Sequence, residues 1–77
     1  MKELLEYLAK GLVDSPEAVA VESFEEDDGT VVLELHVADD DVGKVIGRSG
    51  RTINALRTVV RASSARLGRR VLVDVVD

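Results

Sequence analysis

Two glycines that are separated by two residues form the most informative motif of this chain. Gly47 and Gly50 enclose Arg48 and Ser49, an apolar segment precedes them, and a basic segment with helical spacing follows. Glycine lets a backbone turn tightly and lets another molecule approach closely, because it has no Cβ. A helix that begins just after such a turn presents free N–H groups and the positive end of its dipole, which suits a phosphate. The motif therefore predicts a clamp for a nucleic-acid backbone.

A plain corner between two helices, with Gly47 as the C-cap of the first helix, is the alternative interpretation. Capping requires one glycine rather than two, so we favour the clamp. Gly43 lies four residues before Gly47, on nearly the same helical face. A glycine inside a helix costs roughly 1 kcal/mol relative to alanine. Close approach of a partner backbone or a base would justify Gly43, and so would tight internal packing.

The charges of the chain are divided unevenly between its two halves. The net charge is −5 at pH 7, which at first argues against a nucleic-acid partner. Residues 1–41 carry two basic groups against thirteen carboxylates, whereas residues 42–77 carry eight basic groups against two. Such asymmetry suggests a nucleic-acid or acidic partner for the basic half. Arginines that merely solvate a helix are the alternative, and the glycine motif decides between the two.

Composition excludes several other classes of protein. The chain has 77 residues, enough for one domain, and no cysteine, so disulfides and thiolate metal sites are excluded. The sequence shows no signal peptide and no apolar stretch of membrane-spanning length, which predicts a cytoplasmic location. His36 is the only histidine and is interpreted as an ordinary strand residue, while Asp39, Asp40 and Asp41 are interpreted as helix-capping carboxylates. No nucleophile–base pair or Walker A pattern is present, so we expect neither an enzyme nor a metal or cofactor.

Local patterns predict three helices and three strands. Apolar residues at helical spacing indicate helices over 2–13, 42–46 and 51–67, with Ile53, Leu56, Val60, Ser63 and Leu67 as the buried stripe of the last one. Alternation and β-branched residues indicate strands over 18–25, 30–37 and 71–76, with an acidic hairpin turn between the first two. The small residues Ala62–Ala65 form a patch that suits close approach of a helix, either from a second subunit or from the N-terminal helix.

The string Val45-Ile46-Gly47-Arg48-Ser49-Gly50-Arg51-Thr52-Ile53 resembles the signature of KH domains, whose GXXG loop clamps about four nucleotides of single strand. The element order α-β-β-α-GXXG-α-β resembles the type II KH fold. The resemblance implies an α+β fold with a three-stranded mixed sheet, three helices on one face, and an RNA groove along the loop, the helices beside it and the central strand. The RNA-binding residues that it implies are Gly43, Lys44, Gly47, Arg48, Ser49, Gly50, Arg51 and Arg57.

The resemblance covers residues 1–77 and includes the segment Leu12-Val13-Asp14-Ser15-Pro16, which is similar to that of small stand-alone bacterial KH proteins of the KhpA type. It implies a single-stranded-RNA-binding protein, acting in post-transcriptional regulation or as an RNA chaperone. It also implies a homodimer, or a heterodimer with a second KH protein of the KhpB type (also called Jag or EloR). A protein-interaction module that serves mainly for dimerisation is the alternative. Two features depart from the expectation: the acidic turn Glu25–Asp28 would repel phosphate beside the groove, and no aromatic residue follows Phe24.

Overall fold

The computed structural model describes residues 1–76 and contains the six elements that the sequence predicts. The helices are α1 (Lys2–Lys10), α2 (Val42–Ile46) and α3 (Arg51–Ser64), and the strands are β1 (Ala20–Glu25), β2 (Val31–His36) and β3 (Val71–Val76). Short 3₁₀ turns at Pro16–Ala18, Asp39–Asp41, Arg48–Gly50 and Ala65–Leu67 connect these elements. No helix within residues 1–76 is both long enough and apolar enough to cross a membrane.

The three strands form one mixed sheet in the order β1–β2–β3, as expected. β2 is central, antiparallel to β1 and parallel to β3. Its alternation explains this position, because Val31, Leu33 and Leu35 point to one buried face while the residues between them point to the other. The connection from β2 to β3 passes through α2 and α3, which lets two parallel strands lie side by side.

The helices cover one face of the sheet and enclose the core. α1 contributes Leu5 and Ala9, and α2 contributes Val45, which is fully buried. α3 contributes Ile53, Leu56, Val60 and Ser64. These residues meet the buried side chains of the strands, so the α+β fold with helices on one face is confirmed.

The ends of two predicted helices were placed wrongly. α1 ends at Lys10, and Leu12, expected on the buried face, is 42% exposed. In the last turn of α3 the buried residue is Ser64 rather than Ser63, and Leu67 lies exposed in the 3₁₀ turn that follows. The Ser64 hydroxyl donates to the carbonyl of Val60 at 2.9 Å, which satisfies a buried polar group by a bond that sequence spacing does not reveal.

The acidic hairpin turn lies at the far end of the sheet from the glycine loop. α3 has 14 residues, so about 21 Å of helix separates the loop that begins it from the connection that follows it. At that far end, Glu25 forms an ion pair with Arg69 at 2.8 Å, and Val31 N–H donates to the carbonyl of Arg70 at 2.9 Å. The turn is therefore next to basic residues and away from the glycine loop, contrary to the expectation that it would repel phosphate there.

Candidate nucleic-acid interface

The Gly47–Gly50 loop is a tight turn built from left-handed backbone conformations. Gly47 has φ +77° and ψ 172°, and Gly50 has φ +76° and ψ 14°, both of which favour glycine. Ser49 between them has φ +57° and is the one non-glycine residue with positive φ among those described. A left-handed residue with a Cβ costs roughly 1–2 kcal/mol, so the turn stores strain at its tip. Backbone geometry therefore favours glycine at both positions of the sequence motif.

Gly47 is also required by close packing against the start of α3. A Cβ at this position would lie 2.2 Å from Thr52 Oγ1 and 2.8 Å from the Thr52 backbone nitrogen. Because one of these atoms belongs to the backbone, a side-chain rotation cannot relieve the clash. The contact brings the end of α2 against the beginning of α3, and this sets how sharply the chain turns.

The turn presents positive charge to solvent at the beginning of a helix. Arg48, Ser49 and Arg51 are exposed, and α3 begins at Arg51 without a side-chain N-cap. The first N–H groups of a helix have no partner within the helix, and its dipole favours an anion there. Three of the predicted RNA-binding residues thus surround a helix N-terminus that suits a phosphate.

A groove of about 550 Å³ begins beside this loop and runs along the edge of β3. Its apolar part consists of Ile46, which directly precedes the loop, Ile53 of α3, and two strand residues, Val75 and Val76. Its polar part consists of Arg57, Glu34 and Asp74. The edge strand β3 supplies more of the lining than the central strand β2 does, which differs from the groove along the central strand that the family resemblance implies. The apolar residues of the groove were not identified from sequence, because only the packing of α2 and α3 beside β3 brings them together.

Arg57 joins α3 to this edge strand. Its Nε and Nη2 donate to the carbonyl oxygen of Val73 at 3.2 and 3.0 Å, and its Nη1 donates to Asn54 Oδ1 at 3.1 Å. An edge strand exposes unpaired backbone groups, and Arg57 covers one of them. The guanidinium is thereby fixed at the polar side of the groove with its charge still present.

Asp41 anchors α2 and was not recognised from sequence as a buried group. It is 1% exposed and accepts hydrogen bonds from the backbone N–H groups of Asp14 and Ser15 at 3.1 and 3.0 Å. Its side chain makes no capping bond to α2, so the capping interpretation was wrong for this residue. The hydrogen bond from Asp14 N–H is the main cause that lowers the pKa of Asp41, with Ser15 and Lys44 adding to it against the opposing effect of burial.

Of the predicted site residues in α2, Lys44 is paired with carboxylates of the domain, whereas Gly43 has open space beside it. Lys44 forms an ion pair with Asp14, and its Nζ lies 3.6 Å from Asp41 Oδ1. The hydrogen bond to Asp14 raises the pKa of Lys44, so its charge is permanent but already partnered. A Cβ on Gly43 would meet no atom within 4 Å, so internal packing does not explain this glycine. Close approach of a binding partner is the explanation that remains of the two considered.

An α-β-β-α-α-β chain on a mixed three-stranded sheet, with a GXXG turn between its last two helices, defines a type II KH domain. The chain belongs to the KhpA/KhpB KH-domain family, whose model matches residues 2–75. This membership confirms the resemblance noted from the sequence. It also agrees with the expectation that the chain is not an enzyme, since its curated relatives are named as RNA-binding proteins.

Individual relatives match over nearly their full lengths. The RNA-binding protein KhpA of Halalkalibacterium halodurans is 50% identical over 78 residues, covering all of both chains. The RNA-binding protein KhpA of Streptomyces coelicolor is 54% identical over 77 residues, covering all of this chain and 92% of the relative.

A solved structure is also similar in fold. The crystal structure of Era in complex with MgGDPNP and nucleotides 1506–1542 of 16S ribosomal RNA has a TM-score of 0.67 at 21% identity. That match covers 96% of this chain but 28% of Era, so it supports the fold alone.

Gly43 lies within α2 and Gly47 directly follows it, and the stability of the protein is expected to respond in opposite ways when each is replaced by alanine. Gly47→Ala is expected to lower the free energy of unfolding by about 2–4 kcal/mol, because it adds left-handed strain to a clash with Thr52. Gly43→Ala, the matched control, is expected to raise it by about 0.5–1 kcal/mol, because its Cβ meets open space in a helix. Denaturant unfolding measures both. Equal effects of the two substitutions would contradict the close contact at Gly47.

The anchor at Asp41 predicts a specific acid sensitivity. Its folded-state pKa is lower than the unfolded value near 3.8, so its stabilising effect is present above that value and is lost as pH falls through the folded pKa. The free energy of unfolding is therefore expected to fall as pH drops from about 5 to 2. Asp41→Asn is expected to be less stable at neutral pH and to show a smaller fall. The exposed neighbour Asp39→Asn should retain the wild-type profile, and a full-sized acid effect in Asp41→Asn would contradict this assignment.

Proposed function

We propose that this protein binds single-stranded RNA, with the Gly47–Gly50 loop holding the phosphate backbone. The observation that carries the proposal is the exposed Arg48-Ser49 tip set against the uncapped N-terminus of α3. This arrangement offers guanidinium groups and backbone N–H donors to the same anion. The relatives named as RNA-binding proteins support the proposal. We place this activity in the cytoplasm, in post-transcriptional regulation or as an RNA chaperone, with the chain acting as one KH domain.

The groove would receive the bases of the strand whose phosphates the loop holds. Ile46 and Ile53 offer apolar contact at the loop end, and Val75 and Val76 offer it along β3. The lining contains no aromatic residue, so the stacking that contributes roughly 1–3 kcal/mol per base in other single-strand binders is not available in this groove. We therefore expect weak binding per domain, driven mainly by phosphate contacts.

The phosphate-binding residues are fewer than the charge of the basic half suggests. Lys44 is partnered by Asp14 and Asp41, which makes it less available to phosphate. Arg48 and Arg51 are exposed beside the loop, and Arg57 is fixed in the groove. With about three phosphate contacts to these arginines, the slope of log K against log salt is expected to be roughly −2 for single-stranded nucleic acid.

The loop itself is tested by reversing its charge. Arg48→Asp combined with Ser49→Asp is expected to reduce affinity for single-stranded RNA below detection in a gel-shift titration, and to leave the fold intact because both side chains are exposed. Arg66→Asp combined with Ser63→Asp is the matched control, with the same residue types changed at exposed positions near the far end of α3. The control is expected to bind within about threefold of wild type, since the loop is roughly a helix length away.

Gly43→Ala adds an independent measure of the same site. If Gly43 serves close approach of RNA, the more stable variant binds RNA less tightly, which a general loss of folding could not produce.

Unchanged RNA affinity in the Arg48 and Ser49 double variant would remove the loop from the mechanism. A loss of the same size in the Arg66 and Ser63 control would reduce the effect to net charge.

We propose homodimerisation, or pairing with a second KH protein of the KhpB type, as a further role of the domain. The Ala62–Ala65 patch supports dimerisation less than expected. Ser64 is buried within the domain, and Val60, which precedes the patch, belongs to the core. An exposed apolar surface lies instead between α1 and α3. It consists of Tyr7, Leu8, Leu12, Ala55 and Val59, with Tyr7 76% exposed. Exposed apolar surface of this kind favours association, and two linked RNA sites would compensate for weak binding at each.

Val59→Asp is expected to convert a dimer at micromolar concentration into a monomer, because it places a charge on this surface. Leu67→Asp is the matched control, an equally apolar and more exposed residue outside the surface, and should remain dimeric. Light scattering over a range of concentrations measures the mass. A wild-type protein that is monomeric throughout would rule out homodimerisation, and a dimeric Val59→Asp would rule out this surface as its interface.

A further inference from the structure

The open face of the sheet, opposite the helices, carries a row of carboxylates beside the single histidine. Glu22 of β1 lies opposite Glu34 of β2, and Glu34 lies opposite Asp74 of β3. His36 follows Glu34 by two residues and therefore points to the same face. Like charges that face each other across neighbouring strands destabilise a sheet. Within residues 1–76, the ion pairs of Glu22 and Glu34 involve His36 and no lysine or arginine.

The imidazole of His36 is directed into the gap between two of these carboxylates. Its Nε2 lies 3.7 Å from Glu22 Oε1 and 3.9 Å from Glu34 Oε1. One potential ligand atom from each of the three residues lies within 4.8 Å of the other two. The Nε2 atom is buried and has no hydrogen-bond partner among the described residues. An imidazole nitrogen and two carboxylate oxygens thus converge on one point of the open face.

We propose that Glu22, Glu34 and His36 bind a divalent transition-metal ion, with Zn²⁺ as the best match. Zinc takes imidazole nitrogen at 2.0–2.1 Å and carboxylate oxygen at 2.0–2.2 Å, so tetrahedral ligand atoms lie about 3.3 Å apart. The two distances from Nε2 exceed that spacing by roughly half an ångström, which flexible glutamate side chains can close. Three protein ligands leave a fourth position for water. The ion would offset the charges of Glu22 and Glu34 and join β1 to β2.

The sequence interpretation of His36 as an ordinary strand residue overlooked this cluster for a physical reason. Its ligands come from two strands, and their convergence depends on the register that pairs Glu22 with Glu34. A one-residue slip would place Glu22 on the other face. The metal requires the neutral imidazole, so acid is expected to release it.

The single histidine allows a direct test by proton NMR. The ring C–H signals of His36 are the only histidine signals of the chain. Addition of ZnCl₂ near neutral pH is expected to shift or broaden them in a saturable way at one equivalent per chain, whereas MgCl₂ is not, because magnesium prefers oxygen ligands. Zinc at one hundred times its Kd is expected to raise the folded-to-unfolded ratio about a hundredfold, measured by denaturation.

Glu22→Gln removes one ligand and keeps the NMR reporter. The side chain is 59% exposed, so the substitution is compatible with folding. Loss of a group that only orients a ligand lowers metal affinity about 10- to 100-fold, so loss of a ligand is expected to lower it at least tenfold. Glu17→Gln, an exposed carboxylate in the turn before β1, is the matched control and should bind like wild type. Absent His36 shifts, equal shifts with magnesium, or an unchanged affinity of Glu22→Gln would each overturn the proposal. None of these measurements involves RNA, so they stand or fall separately from the proposed function.

Discussion

The buried carboxylate of Asp41 is the constraint on which the position of the loop depends. It lies between the end of β2 and the start of α2, and it holds the backbone of Asp14 and Ser15, which follows α1. A buried charge is tolerated where hydrogen bonds and an opposite charge satisfy it, and here two N–H groups and Lys44 do so. One side chain thus joins the start of α2 to a segment that is 26 to 27 positions away in sequence. Because α2 is only five residues long and has little stability of its own, its direction is determined by this anchor.

From that anchored helix, the chain must reverse within a few residues to begin α3 over the sheet. Gly47 allows this because its missing Cβ leaves room for Thr52, and Gly50 accepts the left-handed conformation that precedes Arg51. Ser49 takes the same conformation without being a glycine. The strained tip is exposed, so packing around its side chain does not explain the strain, and a role in binding is the hypothesis that the outlier suggests. The loop is thus held from both sides, by the anchored α2 and by the contact of Gly47 with Thr52.

Sequence reasoning succeeded where structure is determined locally and failed where it depends on distant contacts. The bounds of β3 and α2 were predicted correctly, because β-branched runs and glycine punctuation are local signals. The ends of α1 and α3 were not, since the last turn of each depends on tertiary packing. The same distinction applies to the site. The loop glycines were identified by their spacing. Three other features were not: the hydrogen bonds that anchor Asp41, the ion pair of Lys44 with Asp14, and the bond from Arg57 to β3. Each of them joins residues that are at least sixteen positions apart.

The separation of charge in space explains how an acidic chain can present a site for an anion. Six of the thirteen carboxylates of the first half lie at the hairpin turn or on the open face of the sheet. Arg69 pairs with Glu25 of the turn, and Arg70 lies close enough to Asp28 to act on its charge. The arginines of the glycine loop lie at the other end of the sheet, away from the carboxylates of the turn. Glu22, Glu34 and Asp74 carry negative charge on the open face, and Glu34 and Asp74 also border the groove. On the path proposed above, a strand held at the loop meets apolar side chains along the edge of β3, with these two carboxylates at the side of the groove that faces away from the helices. Net charge thus says little about this domain's partner, because the path of the strand depends on where the negative groups lie.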